Sequence, residues 1–487
     1  MKARIAVSLL WAALAAPAQA AWPEAVDAYN KGDYAVAARE FRPFAENGQA
    51  VAQYILGWLY QNGEGVTRDV TESAKWYRKA AEKGHEDAQY AIGLYCLSGE
   101  GVAKDPAEAA RWFRKAAERG KPGAQYLLGY LLSRGEGLDR NEAQAVDWYR
   151  KAADQGYMDA QYAYGLALSR GAGIAKDEPE ANQWLRKAAE QGQIEAAYLL
   201  GWNYDKGIGV LPDYAESAKW YGVAAEGNNV EAQFHLATLV RDGRGTAKDD
   251  ARALTLFKKA AAAGQADIPV AVDDYLKSSR FDAAFDLADT WLLKNPDDVQ
   301  LLTVLAFAAI GEARSDPDRF AGPARAYGDK AISLIEADRK PASLSAADWA
   351  EYRSKWLPQM HMRLGSLALK TGAPDEARTR LERATAADPT DPYAWYLLGQ
   401  IGYADYERIS AGAKSLEGKE KDEAITQAFA KLDQVIAAYA RAVGLAERQE
   451  SAKELREPLM QDLIGIYEFR NGSRTGLDEV LTKYRTP

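Results

Sequence analysis

The side chains able to do chemistry in this chain are few and scattered. Its three histidines, His85, His235 and His361, lie far apart. No His-Glu-x-x-His helix and no pair of cysteines accompanies them, so no zinc ligand set is written in the order of residues. Cys96 is the single cysteine. It cannot form an intramolecular disulfide, and a thiol becomes a nucleophile only where its surroundings favour the thiolate. Glycine pairs such as Gly63/Gly65 do not continue to Gly-Lys-Ser/Thr and follow no strand pattern, so they are not phosphate loops. No Gly-x-Ser-x-Gly elbow occurs. Asp and Glu number 70, and a carboxylate pair for glycan hydrolysis would need only the right separation across a fold. No catalytic residue, metal ligand or cofactor is assigned from these residues.

What does recur is aromatic, small and capping chemistry at a fixed interval. Ala-Gln stands at Ala52-Gln53, Ala88-Gln89, Ala124-Gln125, Ala160-Gln161 and Ala232-Gln233, with Ala196-Ala197 in the remaining slot, a spacing of 36 residues. Trp76, Trp112, Trp148, Trp184 and Trp220 keep the same interval. A tryptophan repeated so regularly marks a packing position between neighbouring helices rather than a cofactor box. Cys96 falls in the slot of Tyr60, Leu132, Leu168 and Tyr204, a packing slot, and reads as a buried, inert thiol.

The elements that must position these residues are helices. Apolar and small residues follow a helical period, as in Ala52, Leu56, Gly57 and Tyr60, then Ala74, Trp76, Tyr77, Ala80 and Ala81, and no alternation of period two supports strands. Each 36-residue unit is thus a helix pair. Gly63/Gly65 and their equivalents, through Gly243/Gly245, stand between the two helices. The first suits a left-handed helix end, and the second permits a tight turn. Asp69/Glu72, Asp105/Glu108, Asn141/Gln144, Asp177/Glu180 and Asp213/Glu216 are spaced as capping boxes at the start of the second helix. In the sixth unit Arg252 replaces the acid three residues after Asp249. One pair cannot bury both faces, so each unit depends on its neighbours.

The pattern A-Q-Y-x-L-G-x-x-Y-x-x-G-x-G-V followed by A-x-W-Y-x-K-A-A-x-x-G resembles the Sel-one-like repeat, a relative of the tetratricopeptide repeat. The resemblance covers residues 49–264. It implies an all-α, right-handed superhelix of stacked helix pairs with a concave face, and work as a holder of protein complexes. Residues 21–48 form a partial opening repeat whose Gly32-Asp33-Tyr34, Ala37-Ala38, Phe41 and Ala45 supply a second helix only. Residues 265–487 lose the register. Within them 361–389 resemble a tetratricopeptide unit through Leu364-Gly365, Gly372, Ala377, Leu381, Ala384 and Pro389, and Ala284, Ala288 and Pro296 match more weakly. Segments 312–324 and 338–348 read as loops and 410–422 as a mobile charged stretch. The expected organisation is one solenoid with a less regular second half; a separate helical domain is the alternative.

Comparison of the six copies separates constant from variable positions. The slots of Gln53, Leu56 and Gly57 barely change and that of Tyr60 keeps a packing residue; those of Ile55, Trp58, Leu59 and Asn62 vary. Spacings of three and four place the second set on one face. On the concave side it would present Trp58, Tyr95, Tyr130 and Trp202 as aromatic anchors and Arg134, Arg170 and Lys206 as a basic edge. Aromatic and arginine side chains are common binding hot spots. The competing reading is that Trp58 and its equivalents pack against the adjacent repeat.

Location and charge bound the partner. Lys2 and Arg4, an apolar run from Ile5 to Ala16, Pro17 and Ala18-Gln19-Ala20 form a secretory signal peptide over 1–20, with a mature start at Ala21. No cysteine follows it to carry a lipid, and no other run is long enough to span a bilayer. The expected compartment is the periplasm or the exterior. A formal net charge of −9 argues against nucleic acid. The expected function is a non-catalytic scaffold for a protein or peptide of a cell-envelope assembly. The alternative is a glycan- or peptidoglycan-binding protein. A hydrolase or β-lactam-binding protein, which the resemblance brings in through cysteine-rich relatives, fits less well because their repeated cysteines are missing.

Overall fold

The computed structural model describes residues 16–485, all of whose regular elements are helices. Residues 1–15 of the expected signal peptide lie outside the described residues. The chain divides into two compact units, up to Ala260 and from Ala261.

In the first unit the 36-residue register becomes six helix pairs. The first helices are Ala50–Asn62, Glu86–Ser98, Pro122–Arg134, Met158–Arg170, Ile194–Lys206 and Val230–Asp242. The second helices are Val70–Glu82, Pro106–Glu118, Glu142–Asp154, Glu178–Glu190, Tyr214–Glu226 and Asp250–Ala263. The opening repeat has more than the single helix expected. Ala16–Lys31 stands before Tyr34–Glu46, and its Trp22 packs edge-on to Phe41 and Phe44 at 5.3 and 5.0 Å. It therefore covers the first repeat with a complete pair.

Both glycines of the inter-helix loop are required, for different reasons. Gly63 ends its helix at φ 70°, with its N–H bonded to the Leu59 carbonyl. Gly65 also has positive φ, and a Cβ there would lie 2.1 Å from the carbonyl carbon of Tyr34. Its equivalents meet the start of the preceding repeat's second helix in the same way: Gly101 meets Val70, Gly137 meets Pro106 and Ala107, and Gly245 meets Tyr214. The second glycine is thus an inter-repeat contact made of backbone.

The helix starts follow half of the expected capping boxes. Asp69, Asp105, Asn141, Asp177 and Asp213 each accept the N–H three residues on, and Asp249 does so as well despite Arg252. The return half is superseded. The cap residue's own N–H bonds instead to the preceding helix, as Asp105 N to the Cys96 carbonyl at 2.7 Å and Asp177 N to the Leu168 carbonyl at 3.0 Å. The released glutamate takes the indole N–H one turn on: Trp112 to Glu108 at 3.1 Å, Trp184 to Glu180 at 3.2 Å and Trp220 to Glu216 at 3.0 Å. Arg78 and Arg186 of the repeats before also reach Glu108 and Glu216.

The constant glutamine closes a further gap between repeats. Gln53, Gln89, Gln125, Gln161 and Gln233 are buried, and each donates to a carbonyl near the end of the previous second helix, from Ala45 to Ala225. Helix ends leave such carbonyls without intrahelical donors.

In the second unit the helices are longer and less uniform. They include Val299–Glu312, Pro317–Glu336, Ala346–Lys370, Pro374–Ala387, Pro392–Ala413 and Gly418–Arg448. Three loop expectations shrink. Most of 312–324 is helical, because Asp316 caps Arg319 N at 3.2 Å and Pro317 occupies the first turn. Proline and aspartate there start a helix rather than break one. Helix begins at Ala346 within 338–348, and only 414–417 remain outside helices in 410–422.

Candidate partner-binding face

The repeats turn one side of each first helix inward. Leu56, Ile92, Leu128, Tyr164, Leu200 and Leu236 fill one slot and are all buried. The slots left accessible run 51, 54, 58 and 62 in the first copy, a spacing of three and four along a single helix face.

Trp58, Tyr130 and Trp202 occupy the 58 slot and are half-buried. Arg134, Arg170 and Lys206 occupy the 62 slot, one turn on, and are exposed. Two of these positions are coupled along the helix. The Arg134 guanidinium lies 5.5 Å from the Tyr130 ring centroid, and the Lys206 ammonium 4.8 Å from that of Trp202. Arg134 also pairs with Glu136 at 3.0 Å and Lys206 with Asp205 at 2.7 Å. Trp58 has a different neighbourhood: Tyr29 and Tyr34 of the opening pair approach it to 5.7 and 5.8 Å. Trp202 has its own aromatic contact, His235 at 5.3 Å.

Tyr95 does not belong to this face. It is 5% exposed, its hydroxyl lies 3.2 Å from Ser73 Oγ, and its ring meets Tyr77 edge-on at 5.8 Å. It occupies the slot of Leu59, which is buried in every copy: Leu59, Tyr95, Leu131, Ala167, Asn203 and Leu239. That slot varies because its core partners vary with it. Tyr95 meets the small Ser73, and Asn203 donates to Asn182 at 2.7 Å. The Ile55 slot is intermediate, buried at Ile55 and half-buried in the other copies.

A second aromatic row escaped the comparison of copies. Tyr54, Tyr90, Tyr126, Tyr162, Tyr198 and Phe234 are half-buried and lie one turn before the 58 slot. Their constancy hides them, since a slot that does not vary reads as core in the sequence. Five of the six pack on their own second helix, as Tyr54 on Tyr77 at 5.6 Å and Tyr198 on Tyr221 at 6.0 Å. Burial pushes the Tyr54 hydroxyl up to about 12, so these phenols act as neutral donors and apolar plates. Before them, in the 51 slot, stand Asp87, Asp159, Glu195 and Glu231. The first helices of the fourth and fifth repeats thus carry a full acid-aromatic-base series, Asp159/Tyr162/Arg170 and Glu195/Tyr198/Lys206.

Cys96 is fully buried, and burial pushes its thiol up to about 11, against thiolate formation. His85 caps a helix by accepting Ala88 N at 3.3 Å and stacks on Tyr54 at 4.6 Å. Among the described residues no group of three or more His, Cys, Asp or Glu could hold a metal ion. Among the same residues no helix is long and apolar enough to cross a membrane.

Comparison with known proteins gives consistent findings. The Sel1 repeat model matches residues 50–85, 86–121, 122–157, 159–193, 194–229 and 230–265. A tetratricopeptide repeat model matches residues 358–401. No curated protein matches the chain. Among solved structures, a Sel1 repeat protein from Oxalobacter formigenes is 31% identical, with 49% of this chain and 95% of that one covered, at a TM-score of 0.44. The protective antigen c5321, present in uropathogenic Escherichia coli strains and displaying an SLR fold, is 24% identical at a TM-score of 0.53. There 92% of this chain and 96% of that chain are covered.

Proposed function

Residues 50–265 of this chain are Sel1 repeats, and from that premise we propose that it is an exported, non-catalytic adaptor that holds a protein or peptide partner of a cell-envelope assembly. Sel1 and tetratricopeptide repeat solenoids generally serve protein–protein interaction. The observation that carries the reading is the accessible row of aromatic and basic side chains on successive first helices: Tyr130 with Arg134, Arg170, and Trp202 with Lys206. Half-buried rings held by a cation lose little freedom on binding, and their cations select acidic groups at the rim. This face is taken as the concave one. Trp58 contributes less to binding than to stability, because Tyr29 and Tyr34 already enclose it. Export rests on the N-terminal basic start, apolar run and Ala18-Gln19-Ala20.

The test uses the chain from Ala21 and its Arg134→Glu/Arg170→Glu/Lys206→Glu variant, whose exposed positions leave the helices intact by circular dichroism. Both are used in a pull-down from envelope extract. A protein retained by the wild type and lost by the folded variant supports the adaptor. Equal retention by both sinks the assignment of this face. Retention on peptidoglycan or polysaccharide, with no protein partner, replaces the reading by glycan binding. A cytoplasmic location of the full chain would overturn the export proposal.

A further inference from the structure

The second unit holds a group of cations that its own carboxylates do not neutralise. Most partly buried arginines there are paired, as Arg378 with Asp405, Arg380 with Asp329 and Arg470 with Asp433. Arg314, Lys355 and Arg363 have no carboxylate within 4.0 Å among the described residues. Arg363 is the unusual one. It is half-buried on helix Ala346–Lys370, and its Nε is buried without a hydrogen-bond partner. Burial, and next the charge of Arg314, holds its guanidinium below the ordinary arginine range, with Asp391 opposing. Taking a cation partly out of water without a partner costs free energy that an incoming anion offsets.

The surroundings say what kind of anion. The Arg363 guanidinium lies 5.0 Å from the centroid of Phe307, on the neighbouring helix Val299–Glu312. Phe307 in turn meets Trp356 at 5.2 Å, and the Lys355 ammonium lies 4.7 Å from the Trp356 ring. One turn before Phe307, Val304 is 44% exposed. Cations therefore border an apolar strip of Val304, Phe307 and Trp356. An inorganic anion would leave that strip uncovered, and an anionic glycan brings no apolar side chain to it.

We propose that the surface between helices Val299–Glu312 and Ala346–Lys370 docks an acidic linear peptide. Its carboxylates pair with Arg363, Arg314 and Lys355, and an aliphatic or aromatic side chain between them lies on Val304 and Phe307. Arginine suits this role because its planar fork meets a carboxylate through two parallel hydrogen bonds. The site lies wholly in the second unit and does not depend on the first-helix face of the Sel1 repeats.

The experiment is selection of a random twelve-residue peptide library on the full chain and, in parallel, on its Arg314→Gln/Arg363→Gln variant. Fluorescence anisotropy follows, with a labelled selected peptide and its Gln/Asn-neutralised copy. The wild type is expected to enrich peptides in which Asp or Glu flanks an apolar residue. Neutralising the peptide, or Arg363→Gln, should weaken binding at least about tenfold. The thermal midpoint of Arg363→Gln should stay level with the wild type or rise, since a half-buried cation without a carboxylate partner is removed. Arg314→Gln and Lys355→Gln, at exposed positions, carry the same comparison if Arg363→Gln does not fold. Enriched peptides without acidic residues, binding unchanged in the variants, or no enrichment alongside binding of inorganic phosphate or dextran sulfate would each overturn the proposal. A lowered midpoint in Arg363→Gln with binding intact would make Arg363 a structural residue and overturn it as well.

Discussion

In the first unit five of the six second helices are 13 residues long, and the sixth is 14. In the second unit the α-helices run from 9 to 31 residues. The two regions nevertheless share one device. A helix glycine lets the partner helix approach: a Cβ at Gly57 would lie 2.6 Å from the Tyr77 ring, and one at Gly399 would lie 2.5 Å from that of Tyr439. Where they differ is in how polar ends are tied. The Sel1 repeats use the same cap, glutamine and loop contacts again and again between neighbours, so each copy is a control for the next. The second unit ties its helices with single contacts, such as Tyr352 to Thr303 Oγ1 at 2.8 Å or Arg448 to the Tyr484 carbonyl at 2.8 Å. Repetition makes a contact legible and its loss comparable; a single contact can be read only in place.

The largest effect expected within this comparison is at the tryptophan slot. Trp112→Ala, at a side chain 8% exposed, should cost about 3–5 kcal/mol in a urea titration of the full chain. Trp184→Ala, at a half-buried copy, should cost less, and equal losses would mean that the copies are not graded by burial. Next comes the loop glycine. Gly137→Ala forces a left-handed conformation on alanine and a Cβ 2.4 Å from Ala107 N, for about 2–4 kcal/mol. Alanine at Gly156, with nothing within 4 Å, should lose only the conformational part, about 1–2 kcal/mol. If both glycines respond equally, the inter-repeat contact contributes nothing of its own.

The inter-repeat ion pair is sharpened by pH. Hydrogen bonding from Arg78, with further help from Trp112, holds Glu108 down to about 2 against an ordinary 4.5. A carboxyl depressed by folding contributes stability that is present above its unfolded value and lost as pH falls through its folded one. Acid titration from pH 4.5 to about 2 should therefore remove part of the stability, and Glu108→Gln should remove that part of the slope. An unchanged slope would place acid sensitivity elsewhere. The smallest effect is at the cap: Asp105→Ala should cost about 1 kcal/mol, since one backbone N–H returns to water.

Much of the first unit was legible because its signals are local. An Asp or Asn at the start of a helix and a glycine at the end of one act within a few residues, and both stand where the spacing placed them. What failed were inferences about what lies across a contact. The spacing of Glu108 predicts a return to its own cap, yet the cap N–H bonds to the Cys96 carbonyl of the preceding helix. The variation of its slot points Tyr95 to the surface, yet that variation is matched inside the core by Ser73. The Tyr54 row was missed for the opposite reason, constancy at a position that remains half-open. In the second unit Pro317 and Asp316 carry the composition of a loop, although the same residues start a helix. Arg363 carries no sequence signal at all; its lack of a partner is visible only in three dimensions.

The loop glycine that touches the backbone of the repeat before it sets the grain at which the array can change length. Donor and recipient of that contact are the same two positions in every copy, 31 residues apart from Gly65 back to Tyr34 and again from Gly101 back to Val70. Excising residues 122–157 whole would bring Gly173 to the place of Gly137, opposite Pro106 and Ala107. A cut one residue longer or shorter would leave a side chain pressed into main chain at the junction. The array can therefore be lengthened or shortened only in whole repeats, so the reach of its binding face changes in steps rather than continuously.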